Sequence, residues 1–243
     1  MTRDIVQLPR LKAGHPKARA EPTTHQVVAQ NLSRAIHEHR LVPGLKLGED
    51  ELADIYNVSR TIVRTALQTL SHERLVDIKR HRGAFVACPA PKEAQEVFEA
   101  RELLEPRTAR SAALKATRED VAQLKAHIEK EHAAMDAGDK GYALYLSGQL
   151  HVEIARIAAQ DTITSFIESL IARSSLVVAL YWRRESALCE SHAHDRLVEA
   201  IRANDPAEAE ALMKSHLVDL HSALDLNTSP RSNGPLRDML LGR

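Results

Sequence analysis

The chain has 243 residues, 44% of them hydrophobic and 3% aromatic, which predicts one or two helix-dominated domains large enough to bury a core. Its 33 basic and 33 acidic side chains leave no net charge, and its longest apolar runs, such as 176–181, are far too short for a membrane span. Its two cysteines, Cys88 and Cys189, lie in different halves without paired spacing, which argues against a disulfide scaffold and predicts a cytoplasmic protein.

The charge is nevertheless divided unevenly along the chain. Residues 1–90 carry 14 Lys and Arg against 9 Asp and Glu, a net charge of +5, whereas residues 91–243 carry 19 against 24, a net charge of −5. Because attraction to phosphate needs a local basic face and not a basic total, this asymmetry predicts a DNA-binding domain joined to a neutral or acidic partner domain.

The chain begins with a segment that we expect to be a flexible arm. Residues 1–24 contain three prolines among scattered charges, a composition that does not favour a packed core. The next segment, 27–39, places Val28, Leu32 and Ile36 on one stripe, which predicts an amphipathic helix closed by the following Pro-Gly pair.

A helix-turn-helix pattern follows directly. A short helix is predicted over 49–56, and Ser59 after the turn is a favourable N-cap for a second helix. Arg60, Thr61 and Arg64 then lie on the exposed side of the first turns, the end of a recognition helix that meets DNA. The apolar residues assigned to the inner side are Ile55, Val58, Val63, Leu67 and Leu70.

A hairpin with a basic tip completes this first domain. Two short apolar runs, 75–78 and 84–86, flank Lys79-Arg80-His81-Arg82-Gly83, which is the plan of a winged helix. Three helices and a charged hairpin within about sixty residues indicate nucleic-acid binding. We therefore predict a winged helix-turn-helix domain over 25–88, with Arg82 and Gly83 reaching the minor groove.

This domain resembles the DNA-binding domain of GntR-family transcription regulators. The resemblance is carried by Leu41-Val42-Pro43-Gly44, Val58-Ser59-Arg60-Thr61, Val63-Arg64 and Arg82-Gly83-Ala84. Two positions depart from the family pattern, because Ile62 stands where proline is frequent and Arg74 where a glycine usually precedes the wing strand. The resemblance implies a homodimer that places two recognition helices in successive major grooves of palindromic double-stranded operator DNA.

Beyond residue 88 the pattern changes to helices alone. Pro89-Ala90-Pro91 is typical of an extended connector, so we assign 89–91 as the linker and 92–226 as a second domain. Its predicted helices span 92–115, 117–137, 142–159, 162–182, 190–203 and 206–226. The short connections favour an antiparallel all-helical bundle, and residues 227–243 are predicted to be a flexible tail.

Three histidines of the second domain fall on apolar helix faces. His151, His194 and His216 each have leucine, isoleucine or methionine neighbours three or four residues away. Such a histidine is commonly a hydrogen-bonded core residue, and imidazole serves equally well as a ligand, so spacing alone leaves both interpretations open.

These histidines, together with Arg101-Glu102-Leu103-Leu104-Glu105, resemble the ligand-binding FCD domain of the FadR subfamily. The resemblance covers residues 94–222 and implies a divalent metal, zinc or nickel, held by His151, His194 and His216. The family places an aspartate four residues before the first histidine, where this chain has Ser147, a poorer ligand than a carboxylate. The alternative interpretation is a metal-free pocket in which the histidines bind the effector directly.

The resemblance also implies an effector pocket around Arg101. The arginine of the family anchors an effector carboxylate, a role that suits the bidentate guanidinium, and we assign Ser147 and Gln149 to the same pocket. The alternative is an arginine paired with Glu105 one helical turn away, as is frequent on solvated helices.

The predicted function is a metabolite-responsive, DNA-binding transcription regulator and not an enzyme. We expect a repressor that a carboxylate-bearing metabolite releases from its operator, with no membrane involved. Two alternatives remain, a regulator that senses the metal ion itself and an enzyme that activates water at the metal. The enzyme lacks a general base in the sequence near the three histidines, since neither a His-Glu-x-x-His motif nor paired carboxylates are present.

Overall fold

The computed structural model describes residues 24–182 and 191–227, together with Leu236 and Leu240. The described part is mainly α-helical, with one small sheet near the amino end, which confirms the predicted fold class. The elements in chain order are α1 (His25–His37), β1 (Lys46–Leu47), α2 (Glu49–Tyr56), α3 (Arg60–His72), β2 (Val76–Lys79), β3 (Gly83–Val86), α4 (Pro91–Lys115), α5 (Arg118–Asp136), α6 (Lys140–Ile157), α7 (Asp161–Tyr181), α8 (Ser191–Arg202) and α9 (Pro206–Ser222).

The first six elements form a winged helix-turn-helix. The α3 helix begins where Ser59 accepts a hydrogen bond from the Ile62 N–H at 3.4 Å, as its N-cap position predicts. The sheet is antiparallel in the order β1-β3-β2, and Lys79 pairs with Gly83 at the hairpin end. Sequence analysis did not predict β1, because two residues are too short to show a period of two.

One apolar core holds this domain together. Leu32 and Ile36 of α1, Val63 and Leu70 of α3 and Val86 of β3 are all within 2% of full burial. Ile55, which we assigned to the inner side of the motif, is only half-buried. The separation of apolar and basic faces on α3 is otherwise as the sequence indicates.

The ends of the chain enter this description only in part. The arm predicted over 1–24 lies outside the described residues except for Thr24, which caps α1 by accepting from the Val27 N–H at 3.4 Å. In the segment 227–243, Leu236 is buried against the core of the winged helix, and Leu240 packs beside it. The Leu240 carbonyl accepts a hydrogen bond from Arg40 at 3.3 Å.

Helices α4 to α9 form the bundle. Thr117 and Asp120 make the reciprocal capping box that the sequence indicates, so α5 begins at Arg118. Helix α4 already begins at Pro91, the first-turn position that proline favours, and runs through the buried Pro106 to Lys115. Helix α9 ends at Ser222, four residues before the predicted end at 226.

Helix α7 lies at the centre of the molecule. By length and composition it is the one described helix that is long and apolar enough to cross a bilayer, although no single apolar run in it has that length. In the folded chain one side of this helix packs inside the protein, with Ile167 and Val177 fully buried, while Phe166 is exposed. Its Leu176 belongs to the same core as the winged helix, so α7 joins the two domains.

Candidate functional site

The predicted reading residues Arg60, Thr61 and Arg64 are all exposed on the first turns of α3. Both arginines are paired with acids of α2. The Arg60 guanidinium lies 2.5 Å from Asp50, and Arg64 lies 2.7 Å from Glu49. The hydrogen bond from Arg64 lowers the pKa of Glu49, which therefore stays ionised. These acids also lie in the first turn of α2, where negative charge interacts favourably with the positive end of the helix dipole. Sequence analysis did not anticipate their ion pairs with the two arginines.

The two departures from the GntR pattern have local consequences. The Ile62 N–H donates to the N-cap hydroxyl of Ser59, a bond that proline at this position would lack. Arg74 adopts a left-handed conformation with φ of 62°, directly after α3. Its N–H binds the Ser71 carbonyl, and the Leu75 N–H binds the Leu70 carbonyl, the pattern of a helix end that glycine favours.

The wing tip is exposed at both predicted contact residues. Arg82 and Gly83 follow the turn closed by the Arg82 N–H and the Lys79 carbonyl at 3.0 Å. Gly83 has φ of 93°, which only glycine adopts readily. The cations of Lys79 and Arg82 lie 5.2 and 5.8 Å from the Phe85 ring centroid, so these two basic side chains of the wing make cation–π contacts with this ring.

The helical domain brings the three predicted histidines together. His151 of α6, His194 of α8 and His216 of α9 are 3%, 4% and 7% exposed, and one ring nitrogen of each lies within 4.8 Å of the others. The Nε2 atoms of His194 and His216 are 3.3 Å apart, and the Nδ1 of His216 is buried with no hydrogen-bond partner among the described residues.

Two glutamates orient these rings, and sequence analysis missed the role of both. Glu105 of α4 lies 2.5 Å from the Nδ1 of His151, and Glu131 of α5 lies 3.1 Å from the Nδ1 of His194. Carboxylates bound to the outer nitrogen of metal-ligating histidines fix the tautomer and turn the other nitrogen inward. No local pattern reveals these partners, because they are 46 and 63 residues away from the rings they contact.

The donor set fits a divalent metal. Two imidazoles on one tetrahedral zinc ion, each about 2.0–2.1 Å from it, have nitrogens about 3.4 Å apart. The 3.3 Å separation of the His194 and His216 nitrogens agrees with that value.

Arg101 is paired with Glu105, as the alternative interpretation of the sequence holds, but the pair is buried and not solvated. Its Nε lies 2.5 Å from Glu105, and its Nη1 donates to Ser174 at 3.1 Å. Arg101, Ser147 and Gln149 nevertheless line one cavity with His151, so the structure brings the predicted pocket residues together.

Burial and charge set the protonation of this cluster. Burial alone would raise the pKa of Glu105, but the Arg101 guanidinium and His151 lower it to about 2, so the carboxylate is ionised. Burial lowers the pKa of His151 despite Glu105, and burial together with the neighbouring histidines lowers the pKa of His216 well below 6.5. Both rings are neutral at physiological pH, the form in which imidazole binds metals.

Two family models match the chain. The FCD domain model matches residues 96–219, which is more than half of the chain, and the model of bacterial regulatory proteins of the gntR family matches residues 24–86. The chain therefore belongs to the proteins that carry an FCD domain, and a domain that matches the gntR family of bacterial regulatory proteins precedes it. It is a DNA-binding transcription regulator that responds to a metabolite.

Named relatives support this assignment. The Exu regulon transcriptional regulator of Escherichia coli strain K12 is 26% identical over 227 residues, covering 84% of this chain and 86% of that protein. The Galactonate operon transcriptional repressor of the same strain is 29% identical over 205 residues, covering 74% of this chain and 87% of the repressor.

Solved structures share the fold. E. coli McbR/YncC superposes with a TM-score of 0.74 at 19% identity, covering 83% of this chain and 97% of that structure. A transcriptional regulator GntR from Rhodococcus sp. RHA1 gives a TM-score of 0.72 at 22% identity, covering 82% of this chain and 95% of that structure.

Proposed function

We propose that the chain is a repressor released from its operator by a carboxylate-bearing metabolite that binds beside a metal in the FCD domain. The observation that carries this proposal is the buried cluster of one arginine and three histidines, 3% to 7% exposed, of which Arg101 and His151 line one cavity. A guanidinium and a metal with open positions are the two groups that bind carboxylates most specifically. We also place the chain in the FadR subfamily on the same histidines, and in the cytoplasm.

His151, His194 and His216 would hold the ion, zinc or nickel, and leave open positions for Ser147, water or the effector. The ion supplies a Lewis-acidic contact for an effector oxygen when it is bound. Arg101 keeps N–H groups that Glu105 and Ser174 do not use, because guanidinium has five. Ser147 and Gln149 supply polar contacts on the α6 wall.

Sugar acids are the effector class we favour. One relative is named for the galactonate operon, and galactonate carries one carboxylate on a polyhydroxylated chain. A cluster with one buried guanidinium and several neutral hydrogen-bonding groups matches that chemistry better than it matches an aromatic acid.

The DNA-binding unit is a homodimer in this proposal. Two copies of α3 enter successive major grooves of a palindromic operator, with Arg60 and Arg64 as the main contacts and Thr61 supporting them. Arg82 and Gly83 reach the adjoining minor groove. The acids Glu49 and Asp50 hold the arginines in position until phosphates or bases replace them.

The test is a gel-shift titration of the full chain on the DNA fragment upstream of its own gene. Zinc-loaded protein should lose affinity at least tenfold when galactonate, or another sugar acid such as glucuronate, is added, and benzoate, the aromatic acid of the panel, should have a smaller effect. Chelated protein should respond less. No response to any acid, with specific DNA binding intact, would contradict the proposed effector class.

The proposed contact between α3 and the operator is tested by Arg64→Ala. We expect a loss of about 1–3 kcal/mol of operator affinity if Arg64 contacts a base. The matched control is Arg202→Ala on α8, because Arg202 is likewise exposed and paired with a glutamate, Glu199. Equal affinities of the two variants would remove Arg64 from the interface.

A regulator that senses the metal ion itself is the second candidate. The 3.3 Å separation of the His194 and His216 Nε2 atoms favours it, because an ion alone would bridge these buried rings. Calorimetry with zinc or nickel followed by operator titration separates the two candidates. If the ion alone changes operator affinity and no acid changes it further, the metal is the signal.

A further inference from the structure

We propose that His37 and His39, at the end of α1 in the DNA-binding domain, form part of the effector pocket. An effector that binds in this pocket displaces the two histidines, and the displacement of α1 shifts the recognition helix α3. This inference rests on the proposed function, since it assigns the route from an effector at Arg101 to the DNA. It names pocket residues that lie outside the FCD domain.

The cavity beside the metal cluster is shared between the two domains. Arg101 and His151 line it from the bundle, and His37 and His39 line the same cavity from the end of α1. The pocket that the FCD domain forms is therefore closed by the DNA-binding domain.

This cavity is too small for an effector as it stands. Its volume is about 50 Å³, whereas pockets for small molecules enclose roughly 300–1,000 Å³ and one water takes about 30 Å³. An effector enters only if a wall moves. Helices α4, α6 and α7 pack on one another within the bundle, while α1 belongs to a separate domain, so α1 is the wall that moves.

Two adjacent serines of α7 connect the arginine to α1. The Ser174 hydroxyl accepts from the Arg101 guanidinium at 3.1 Å. The next residue, Ser175, lies 3.4 Å from the His37 carbonyl and 3.3 Å from the His39 Nε2. Its one hydroxyl satisfies both by donating to the carbonyl and accepting from the ring. An effector that draws Arg101 away from Ser174 acts one residue from the contact that fastens α1.

Helix α6, which carries His151, holds α1 from the other side. A Cβ atom built on Gly141 would overlap the Glu38 carbonyl, so the two backbones are in direct contact there. The Arg34 guanidinium lies 5.6 and 5.7 Å from the ring centroids of Tyr142 and Tyr145. Because of these direct contacts, a displacement of α6 or α7 would be transmitted to α1.

The backbone conformation of His39 favours glycine, so the histidine side chain has a reason other than the turn for being there. His39 has φ of 55°, a left-handed conformation that glycine adopts without strain. The Arg40 N–H and His39 N–H bind the Ala35 and Ile36 carbonyls, the helix end that usually carries glycine. An imidazole here is less favourable for the turn than glycine, and its contact with Ser175 and the cavity offsets that cost.

The test compares two substitutions of His39 that both suit a left-handed turn. His39→Gly removes the imidazole, and His39→Asn keeps a hydrogen-bonding group. The control is Asn204→Gly, because Asn204 has φ of 54° and lies at the end of α8, away from the cavity. Operator affinity is measured without and with galactonate, the first acid of the effector panel.

We expect the ratio of the two affinities to fall at least fivefold in His39→Gly and to stay within twofold of wild type in His39→Asn and Asn204→Gly. A full response in His39→Gly would overturn the inference and leave the proposed function intact.

A second variant decides the matter without any ligand. Ser147→Leu adds a bulky side chain to the cavity wall and acts as a built-in occupant. We expect it to weaken operator binding at least fivefold, with a helical circular dichroism spectrum like that of wild type. If no acid affects the wild type, the effector class is wrong, and this variant still tests the inference. Unchanged operator affinity in folded Ser147→Leu would overturn it.

Discussion

At the residue scale, Ser147 stands where the resemblance to FCD domains of the FadR subfamily implies an aspartate. Its side chain lies on α6 one turn before His151, and both residues line the same cavity. A neutral hydroxyl is a weaker ligand than a carboxylate for divalent ions such as zinc and nickel. The site would therefore retain its metal through three histidines and their glutamate partners.

We expect Ser147→Asp to retain more zinc after dialysis against a chelator, because a fourth, charged ligand joins the three imidazoles. Metal content is measured by atomic absorption. Ser165→Asp, which adds the same charge on an exposed turn of α7, is the control. Equal zinc content in both variants would contradict the geometry proposed for the site.

The burial of the three histidines was predictable from the sequence, their role as ligands was implied only by the resemblance to FCD domains, and their surroundings were not predictable. The histidines fall on apolar helix faces, and that period is visible in the chain. Glu105 could be placed one turn after Arg101, but its burial beside His151 depends on how α4 packs against α6. The contact of Glu131 with His194 could not be predicted, because α5 also carries exposed acids from which the sequence does not distinguish Glu131.

At the element scale, α1 and α3 both end on a left-handed residue other than glycine. His39 and Arg74 occupy corresponding positions, directly after each C-cap. The Arg74 side chain is exposed, whereas His39 lies between domains. The two helix ends therefore differ in whether a side chain contact offsets the strain.

We expect Arg74→Gly to stabilise the protein by about 0.5–1 kcal/mol, because glycine relieves the left-handed strain but is more flexible in the unfolded chain. Urea unfolding followed by circular dichroism measures this. The contrasting variant is Gln68→Gly in the middle of α3, where glycine should destabilise by about 1 kcal/mol. Loss of stability in both variants would show that the Arg74 side chain makes a contribution of its own.

The elements themselves were largely predictable, since capping residues and apolar periods fix their ends within a few residues. The short β1 strand and the end of α9 are exceptions. A two-residue strand forms only because β3 is beside it, and α9 stops at Ser222 although the apolar pattern continues to Leu226. In both cases, packing overrides the local pattern.

At the scale of the whole molecule, several neutral histidines are buried between and within the domains. Burial lowers the pKa of His39 to about 4 and lowers the pKa values of His37, His151 and His216. In the unfolded chain these rings take up protons near pH 6.5. Their contribution to stability is therefore lost as the pH falls below about 6.5.

We expect the free energy of unfolding, measured with chelator present, to decrease from about pH 6.5 towards pH 4, with carboxylates contributing only below about pH 5. Glu105 acts later, because its contribution is full above pH 4.5 and is lost as the pH falls towards about 2. His39→Asn should reduce the decrease by roughly 1 kcal/mol at pH 5. His192→Asn, at an exposed histidine, is the control, and an identical pH profile for His39→Asn and wild type would contradict the assignment.

The placement of Leu236 and Leu240 on the core of the winged helix brings the last part of the chain against the first domain. A purification tag or fluorescent fusion attached shortly after Leu240 would begin within a few residues of a side chain that packs on the DNA-binding domain. Assays of operator recognition are better designed with fusions at the opposite terminus, or with a cleavable one, and truncated proteins that lack these two leucines would expose apolar surface on that same domain.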